Sequence, residues 1–193
     1  MSLIRFLAAF IVASAFSWGA PMAQEPLDKE NILYIDVKSG RVAIQLLPDL
    51  APEHVKRVKR LAREDFFNGV VFHRVLEGFM AQTGDPTGTG EGGSKYPDLK
   101  GEFTSTPFRA GTVGAARTQD PDSANSQFFI CMGDASHLNG SYTVWGQVIR
   151  GMEHVYRIKL GDRSRNGLVD DPDRMLKVQV AADAKDHSVL DGP

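Results

Sequence analysis

The chain has 193 residues, of which 42% are hydrophobic and 24% are charged, and its formal net charge at pH 7 is −2. This length and apolar content are typical of one globular domain with a real core. A chain so close to neutral lacks the basic surface of nucleic-acid-binding proteins, so nucleic acid is disfavoured as a partner.

The N-terminal stretch has the layout of a secretory signal peptide. Arg5 supplies one positive charge, an apolar run follows over residues 6–16, and small residues then lead to candidate cleavage sites after Gly19 and after Ala23. Signal peptides share this order of positive charge, apolar run and small residues. We therefore predict a signal peptide over residues 1–23 and export of the chain.

An uncleaved membrane anchor is the alternative for the same stretch. Gly19, Pro21 and Gln24 interrupt the apolar run, which shortens it below the ~20 residues that a transmembrane helix needs. We therefore favour cleavage, a short polar leader over residues 24–31, and no stable membrane insertion after cleavage.

Cys131 is the only cysteine of the sequence. A single cysteine excludes an intramolecular disulfide, so an exported domain of this composition must rely on its core for stability. We expect Cys131 to be a packed strand residue.

Two strands and a helix are expected to open the domain. Residues 32–37 and 41–47 alternate between apolar and polar side chains around a turn that ends at Gly40, which predicts two strands. Residues 53–63 then place apolar side chains at helical spacing, and Pro52 suits the first turn of a helix.

Residues 70–85 predict a β-hairpin. The stretch begins with β-branched and aromatic residues, continues through a glycine-containing break, and ends in a shorter extended run, as hairpins do. A three-residue loop over residues 77–79 fits best, because Gly78 can adopt the positive φ that such loops often need.

The register of this hairpin groups side chains that could form a site. With three loop residues, Leu76 pairs with Met80 and Arg74 pairs with Gln82, so all four side chains leave the same face of the sheet. A two-residue loop would separate them. The predicted result is a guanidinium beside an amide, with Phe79 and Met80 as an apolar floor.

The remainder of the chain is predicted to form short strands, one more helix and loops. The glycine-rich residues 84–93 could be a flexible linker or a phosphate-binding loop, but no helix with Lys-Ser or Lys-Thr follows, which disfavours a nucleotide site. Many short strands with two helices indicate a mainly β, antiparallel barrel. The further expected elements are extended segments at 103–116, 127–131, 142–148 and 175–181, a helix at 152–159, and a surface loop at 161–173.

Two blocks of the sequence occur in an informative order. The first is Phe-His-Arg-Val at residues 72–75 followed by Gly-Phe-Met-Ala-Gln-Thr-Gly-Asp at 78–85, and the second is Ser-Gln-Phe-Phe-Ile at 126–130. They resemble the hallmarks of the cyclophilin-type peptidyl-prolyl isomerases, and the similarity extends across residues 32–182. The resemblance implies a closed antiparallel barrel of eight strands capped by two α-helices. We expect residues 183–193, which lie beyond the similar region, to form a C-terminal tail.

The resemblance also implies a function. A chain similar to the exported bacterial members would be a periplasmic peptidyl-prolyl cis/trans isomerase that rotates X-Pro bonds and assists the folding of exported proteins. Its partners would be proline-containing polypeptides, it would need no cofactor or metal, and it would act as a monomer. The alternative is a cyclophilin-fold module that binds proline-containing segments, or acts as a chaperone, without catalysis.

The resemblance and the hairpin register together predict the site residues. Arg74 would be the catalytic donor that stabilises the twisted amide, and an arginine stays charged at any usable pH. Ala116 and Arg117 would offer main-chain groups to an extended peptide. The remaining substrate-binding residues would be Phe79, Met80, Gln82, Gln127, Phe129 and Leu138, with His137 and Tyr142 at the groove rim.

His73 is the alternative catalytic group, as a general base. In the predicted strand it alternates away from Arg74, so we expect a buried or partly buried histidine with its hydrogen bonds satisfied. The other histidines of the sequence have no metal-ligand spacing.

Two rim positions depart from the family pattern. Many members carry tryptophan where this chain has His137, and many carry histidine where it has Tyr142. We expect isomerase activity to be retained, because Arg74 and the pocket residues are intact. We expect weak inhibition by cyclosporin, the cyclic peptide known to inhibit the family, because histidine offers less apolar surface than an indole.

Overall fold

The computed structural model describes residues 27–191, which form a curled antiparallel sheet with helices around it. The predicted signal peptide and the first part of the predicted leader lie outside the described residues. Within residues 27–191, no helix is long and apolar enough to cross a membrane. The strands are β1 (Ile32–Val37), β2 (Gly40–Leu46), β3 (Arg74–Leu76), β4 (Met80–Thr83), β5 (Thr112–Ala115), β6 (Phe128–Cys131), β7 (Val144–Arg150) and β8 (Lys177–Val180), and the helices are α1 (Pro52–Arg63), α2 (Met152–Val155) and α3 (Ser188–Asp191).

The eight antiparallel strands confirm the expected architecture, but the expectation of a closed barrel needs a correction. The strand order is β3-β4-β6-β5-β7-β2-β1-β8, which leaves β3 and β8 at the two edges. The chain before β3 meets the chain before β8 through an isolated bridge between Val71 and Arg174 and through the bond from Phe72 N to Asp173 O, at 2.9 Å. Strand β3 is only three residues long. This short contact therefore joins the two edges of the sheet, and no continuous ladder of hydrogen bonds runs between β3 and β8.

The helix expected over residues 152–159 is shorter, because α2 ends at Val155. Beyond it, Ile158 N bonds to Val155 O, three residues back, and Lys159 N donates to the Asp173 carboxylate at 2.8 Å. A backbone N–H that bonds to a distant side chain cannot continue the helical ladder. The structure also adds α3, within the predicted tail.

Helix α1 confirms the helix expected over residues 53–63 and is capped from a distance. Its N-cap residue is Ala51, whose side chain makes no cap bond. The carboxylate of Glu102 instead accepts from Glu53 N and His54 N, each at 3.1 Å, and lies 2.6 Å from His54 Nδ1. A carboxylate at this end satisfies free N–H groups and complements the helix dipole.

The hairpin has the predicted register. Arg74 pairs with Gln82 and Leu76 pairs with Met80, and Gly78 has a φ of 71° in the three-residue loop. The side chains of Arg74 and Gln82 therefore stand next to each other on one face of the sheet.

Strand β6 divides the core from the groove, as its alternation predicted. Phe128 and Ile130 belong to the main core cluster inside the barrel, whereas Phe129 belongs to a second cluster with Met80 and Leu138. Cys131 is fully buried, and burial raises the pKa of its thiol to about 12. The predicted packed interior and packed cysteine are both confirmed.

Candidate active site

The Arg74 guanidinium is held in place by three hydrogen bonds. Nη1 donates to Gln82 Oε1 at 3.2 Å, Nε donates to the main-chain oxygen of Asn166 at 2.9 Å, and Nη2 donates to Asn166 Oδ1 at 2.9 Å. A guanidinium carries five N–H bonds. Within the part of the chain that the structure describes, these bonds use one N–H of Nη1 and one of Nη2. The second N–H of each terminal nitrogen therefore remains available to a ligand.

The positive charge of Arg74 stays available because all three acceptors are uncharged. The side chain is half-buried, and this burial lowers the pKa of Arg74, while the Tyr142 hydroxyl acts in the opposite direction. An arginine remains protonated despite such a shift. Partial burial therefore leaves a charged donor that water screens only in part.

A chain of amides continues from Arg74. Gln82 Nε2 donates to Gln127 Oε1 at 3.0 Å, and Gln127 Nε2 donates to the main-chain oxygens of Gly90 and Gly92, both at 2.9 Å. The glycine-rich segment is thus a structured loop beside the groove and not a flexible linker.

A pocket with a volume of about 110 Å³, an apolar floor and polar walls lies in front of the guanidinium. The Phe129 ring forms its floor between Phe108, at 5.6 Å between ring centroids, and Tyr142, at 6.0 Å. Such a pocket suits a small apolar ring. The lining residues are Arg74, Phe79, Met80, Gln82, Ala116, Arg117, Phe129, Leu138 and Tyr142.

The structure brings all the predicted site residues together in or beside this pocket. Gln127 lines a neighbouring pocket of about 470 Å³ and reaches the first pocket only through Gln82. His137 lies at the rim with its ring 5.2 Å from the Phe79 ring, centroid to centroid.

The structure narrows the main-chain role expected of Ala116 to one group. Its N–H donates to Gln127 O at 2.9 Å, so the carbonyl is the main-chain group that it can offer a peptide. The Arg117 guanidinium donates to Ser141 O at 2.8 Å and lies 4.3 Å from the centre of the Tyr142 ring. These contacts keep Arg117 beside the groove wall.

His73 faces away from Arg74 and is only 4% exposed. The expectation of satisfied hydrogen bonds is wrong, because neither ring nitrogen has a partner within residues 27–191. Burial lowers the pKa of His73, although Asp85 opposes the shift. A neutral histidine behind the strand cannot reach the groove as a base.

Asn166 is the site residue that sequence reasoning missed. It lies in the segment expected to be only a surface loop, and its backbone is left-handed, with a φ of 56°. The following Gly167 also has a positive φ. An Asn-Gly pair signals such a turn, but nothing in the sequence indicates that this turn bonds to Arg74, 92 positions away.

Within residues 27–191, no group of three or more His, Cys, Asp or Glu side chains could hold a metal ion. The groove presents hydrogen-bond donors, amides and a pocket with an apolar floor.

Comparisons with known proteins agree with this geometry. The family described as cyclophilin type peptidyl-prolyl cis-trans isomerase/CLD matches residues 32–180. A probable peptidyl-prolyl cis-trans isomerase of Brucella suis is 48% identical over 196 residues, which covers 96% of this chain and 100% of that protein. A peptidyl-prolyl cis-trans isomerase of Helicobacter pylori is 38% identical over 143 residues, covering 72% of this chain and 86% of that protein.

Solved structures are similar as well. A Cryptosporidium parvum cyclophilin type peptidyl-prolyl cis-trans isomerase, crystallised in the presence of the dipeptide Ala-Pro, is 25% identical with a TM-score of 0.70, over 77% of this chain and 98% of that chain. A cyclophilin of Hirschia baltica has a TM-score of 0.74 at 24% identity, over 82% of this chain and 76% of that chain, and supports the fold.

Proposed function

The chain belongs to the cyclophilin-type peptidyl-prolyl cis-trans isomerases, and from this premise we propose that it uses Arg74 to rotate X-Pro bonds in exported polypeptides. We assign this role to Arg74 because of its position in the site. A fixed, charged guanidinium with two N–H bonds available stands over a pocket with an apolar floor.

The reaction needs no nucleophile and no proton transfer. Rotation about an X-Pro bond takes tens to hundreds of seconds, because twisting removes amide resonance. About a hundred turnovers per second would require an acceleration of about 10⁴, which is some 5 to 6 kcal/mol of the barrier. A group that binds the twisted amide more tightly than the planar one can supply this energy.

Arg74 meets that requirement by geometry and charge. As the amide twists, the lone pair localises on the prolyl nitrogen, which then becomes a hydrogen-bond acceptor. The terminal N–H bonds of Arg74 donate to that nitrogen or to the carbonyl oxygen in the twisted state only. Because Gln82 and Asn166 already hold the guanidinium, little reorganisation is needed when the charge shifts.

The apolar pocket would hold the proline ring during the rotation. Phe129, Met80 and Leu138 are buried in one cluster beneath the groove, so they present a rigid surface to the ring. The similar Cryptosporidium protein, crystallised in the presence of Ala-Pro, supports a proline-containing ligand for this chain. The neighbouring carbonyl would then swing within reach of Arg74.

The proposed exported substrates rest on the N-terminal sequence. Arg5, the apolar run over residues 6–16 and the small residues up to Ala23 fit a cleavable signal peptide. On this proposal the mature protein works as a monomer in a bacterial periplasm and assists the folding of exported chains.

Fractionation of a Gram-negative host that expresses the full chain tests this location. We expect the protein in the soluble periplasmic fraction, with a mass that lacks residues 1–19 or 1–23. The purified mature protein should then accelerate the refolding of an exported protein that is limited by X-Pro isomerisation, and the Arg74→Ala protein should not. Full-length protein in the membrane fraction would favour the anchor, and cytoplasmic protein would refute export.

His137 gives a prediction about cyclosporin. Its ring packs on Phe79 at the rim, and an indole there would bury more apolar area and add an N–H donor. His137→Trp should therefore tighten cyclosporin inhibition by about tenfold, equivalent to about 1.4 kcal/mol. Peptide turnover should change less than twofold, because the proline pocket lies at Phe129 and Met80.

Inhibition constants of the unmodified and His137→Trp proteins, measured in the same peptide assay, decide the point. Tight inhibition of the unmodified protein, or no gain from the tryptophan, would contradict this account of the rim.

A further inference from the structure

Asp85 is a buried carboxylate at the start of the glycine-rich loop, with 0% of its surface exposed. One carboxylate oxygen accepts from Thr87 N at 2.7 Å and from Thr87 Oγ1 at 2.8 Å, and the other accepts from Gly90 N at 2.6 Å. Burial by itself raises the pKa of Asp85, but hydrogen bonds from Thr87, Gly92 and Gly90 outweigh it and lower the pKa to about 2. The group is therefore an ionised anchor inside the loop.

Gln127 binds the same two glycines from the opposite side. The N–H groups of Gly90 and Gly92 interact with Asp85, while their carbonyl oxygens accept from Gln127 Nε2. Asp85 therefore fixes the loop residues whose carbonyls hold this amide.

The loop carbonyls set the direction of the whole hydrogen-bond chain. Because both accept from Gln127, its NH₂ group must face the loop and its oxygen must face Gln82. The Gln82 NH₂ group then points to Gln127, and its oxygen points to Arg74, which can only donate. Without the two carbonyls, Gln127 could turn over and present its NH₂ group to the NH₂ group of Gln82, which would weaken the hold of Gln82 on the guanidinium.

We propose that Asp85 is a positioning residue for catalysis: it holds the glycine-rich loop so that Gly90 and Gly92 orient Gln127 and Gln82 to fix Arg74. This inference rests on the proposed role of Arg74. The anchored loop keeps the guanidinium aligned with the twisted amide, and misalignment of such a donor weakens binding of the transition state more than binding of the substrate.

Gly92 provides a second way to disturb the same anchor. A β-carbon added there would overlap Asp85 Oδ1 and crowd the Thr87 side chain. The backbone φ of Gly92 is not in the positive range, so alanine adds this clash without backbone strain. Gly92→Ala therefore displaces the loop from Asp85 while the carboxylate stays intact.

The test compares Asp85→Asn with Asp36→Asn. Asp36 is a partly buried aspartate in β1 that binds Arg41 at 2.6 Å and does not line the groove, so its variant controls for a lost carboxylate. We expect Asp85→Asn to lower kcat about tenfold with KM changed less than about twofold, and Asp36→Asn to leave both unchanged. Side-chain amide NMR signals of Gln82 and Gln127 should move only in Asp85→Asn.

A double-variant comparison separates positioning from a general structural role. Once Gln127→Ala has removed the link, Asp85→Asn should lower kcat no further. An equal fold-loss with and without Gln127 would overturn the proposal, as would an unchanged kcat. If Asp85→Asn does not fold, Gly92→Ala takes its place, and wild-type kcat in folded Gly92→Ala would likewise overturn it.

Measuring Arg74→Ala in the same assay shows whether the positioning role of Asp85 or the role of Arg74 itself is wrong. If Arg74→Ala loses turnover while Asp85→Asn keeps it, only the positioning inference is wrong. If Arg74→Ala keeps turnover, the role of Arg74 is wrong and the inference falls with it.

Discussion

Arg74→Ala should lower kcat/KM for a short X-Pro peptide by about 10² to 10³, the usual loss when a preorganised donor to the transition state is removed. The loss should appear mainly in kcat, because the donor acts on the twisted amide and the apolar pocket still holds the proline. The midpoint of thermal unfolding should move by no more than about 3 °C, since the acceptors Gln82 and Asn166 border an open groove where water can replace the guanidinium.

Two further variants make this result specific. Arg109 is an exposed arginine just before β5, outside the groove, and Arg109→Ala should leave turnover unchanged. Arg74→Lys keeps the charge but has three N–H bonds instead of five, so it cannot keep the three bonds to Gln82 and Asn166 and also donate to the substrate. It should therefore also be impaired. Near-wild-type turnover in Arg74→Ala would show that another group stabilises the twisted amide.

Phe129→Ala should reduce stability and substrate binding together. The ring is 4% exposed, packs against Phe108 and Tyr142, and forms the floor of the pocket. Removing a buried phenylalanine costs about 3 to 5 kcal/mol of unfolding free energy. Loss of the pocket floor should also raise KM by about tenfold or more. Chemical denaturation and steady-state kinetics measure the two effects.

The neighbouring residue is the matched control. Phe128 is 1% exposed and faces the barrel interior, edge-on to Phe67 and Trp145. Phe128→Ala should therefore lose similar stability while KM of the folded protein stays the same. If Phe129→Ala is too unstable to assay, Phe129→Leu is used, because it keeps more of the apolar volume and loses less stability. Its KM then reports the effect of the lost ring on substrate binding. Equal KM values for the variants at both positions would contradict the assignment of Phe129 to the pocket.

The position of Arg74 beside Gln82 was predictable because it depends on local rules. A glycine at the right place in the loop selects a three-residue turn, and the two-residue period of a strand then decides which side chains share a face. The structure confirms that register. The same period placed Phe129 toward the groove and Phe128 toward the core.

The ends of elements were harder to predict, because contacts from distant segments decide them. The apolar spacing of residues 152–159 suits a helix, yet Lys159 N bonds to Asp173 and α2 ends at Val155. At the other end of a helix, Glu102 caps α1 although 49 positions separate it from Glu53. Polar side chains in loops have no period that reveals such partners.

The sequence by itself therefore determined the family, the antiparallel strands, the hairpin register and the groove-facing side chains, since these follow from motifs, turn residues and alternation. Only the tertiary structure decided that Asn166 holds Arg74, that the Gly90 and Gly92 carbonyls bind Gln127, and that a short bridge joins the edges of the curled sheet. Each of these contacts joins polar groups of loops or strand edges, and their partners are fixed only once the packed core brings separate segments of the chain together.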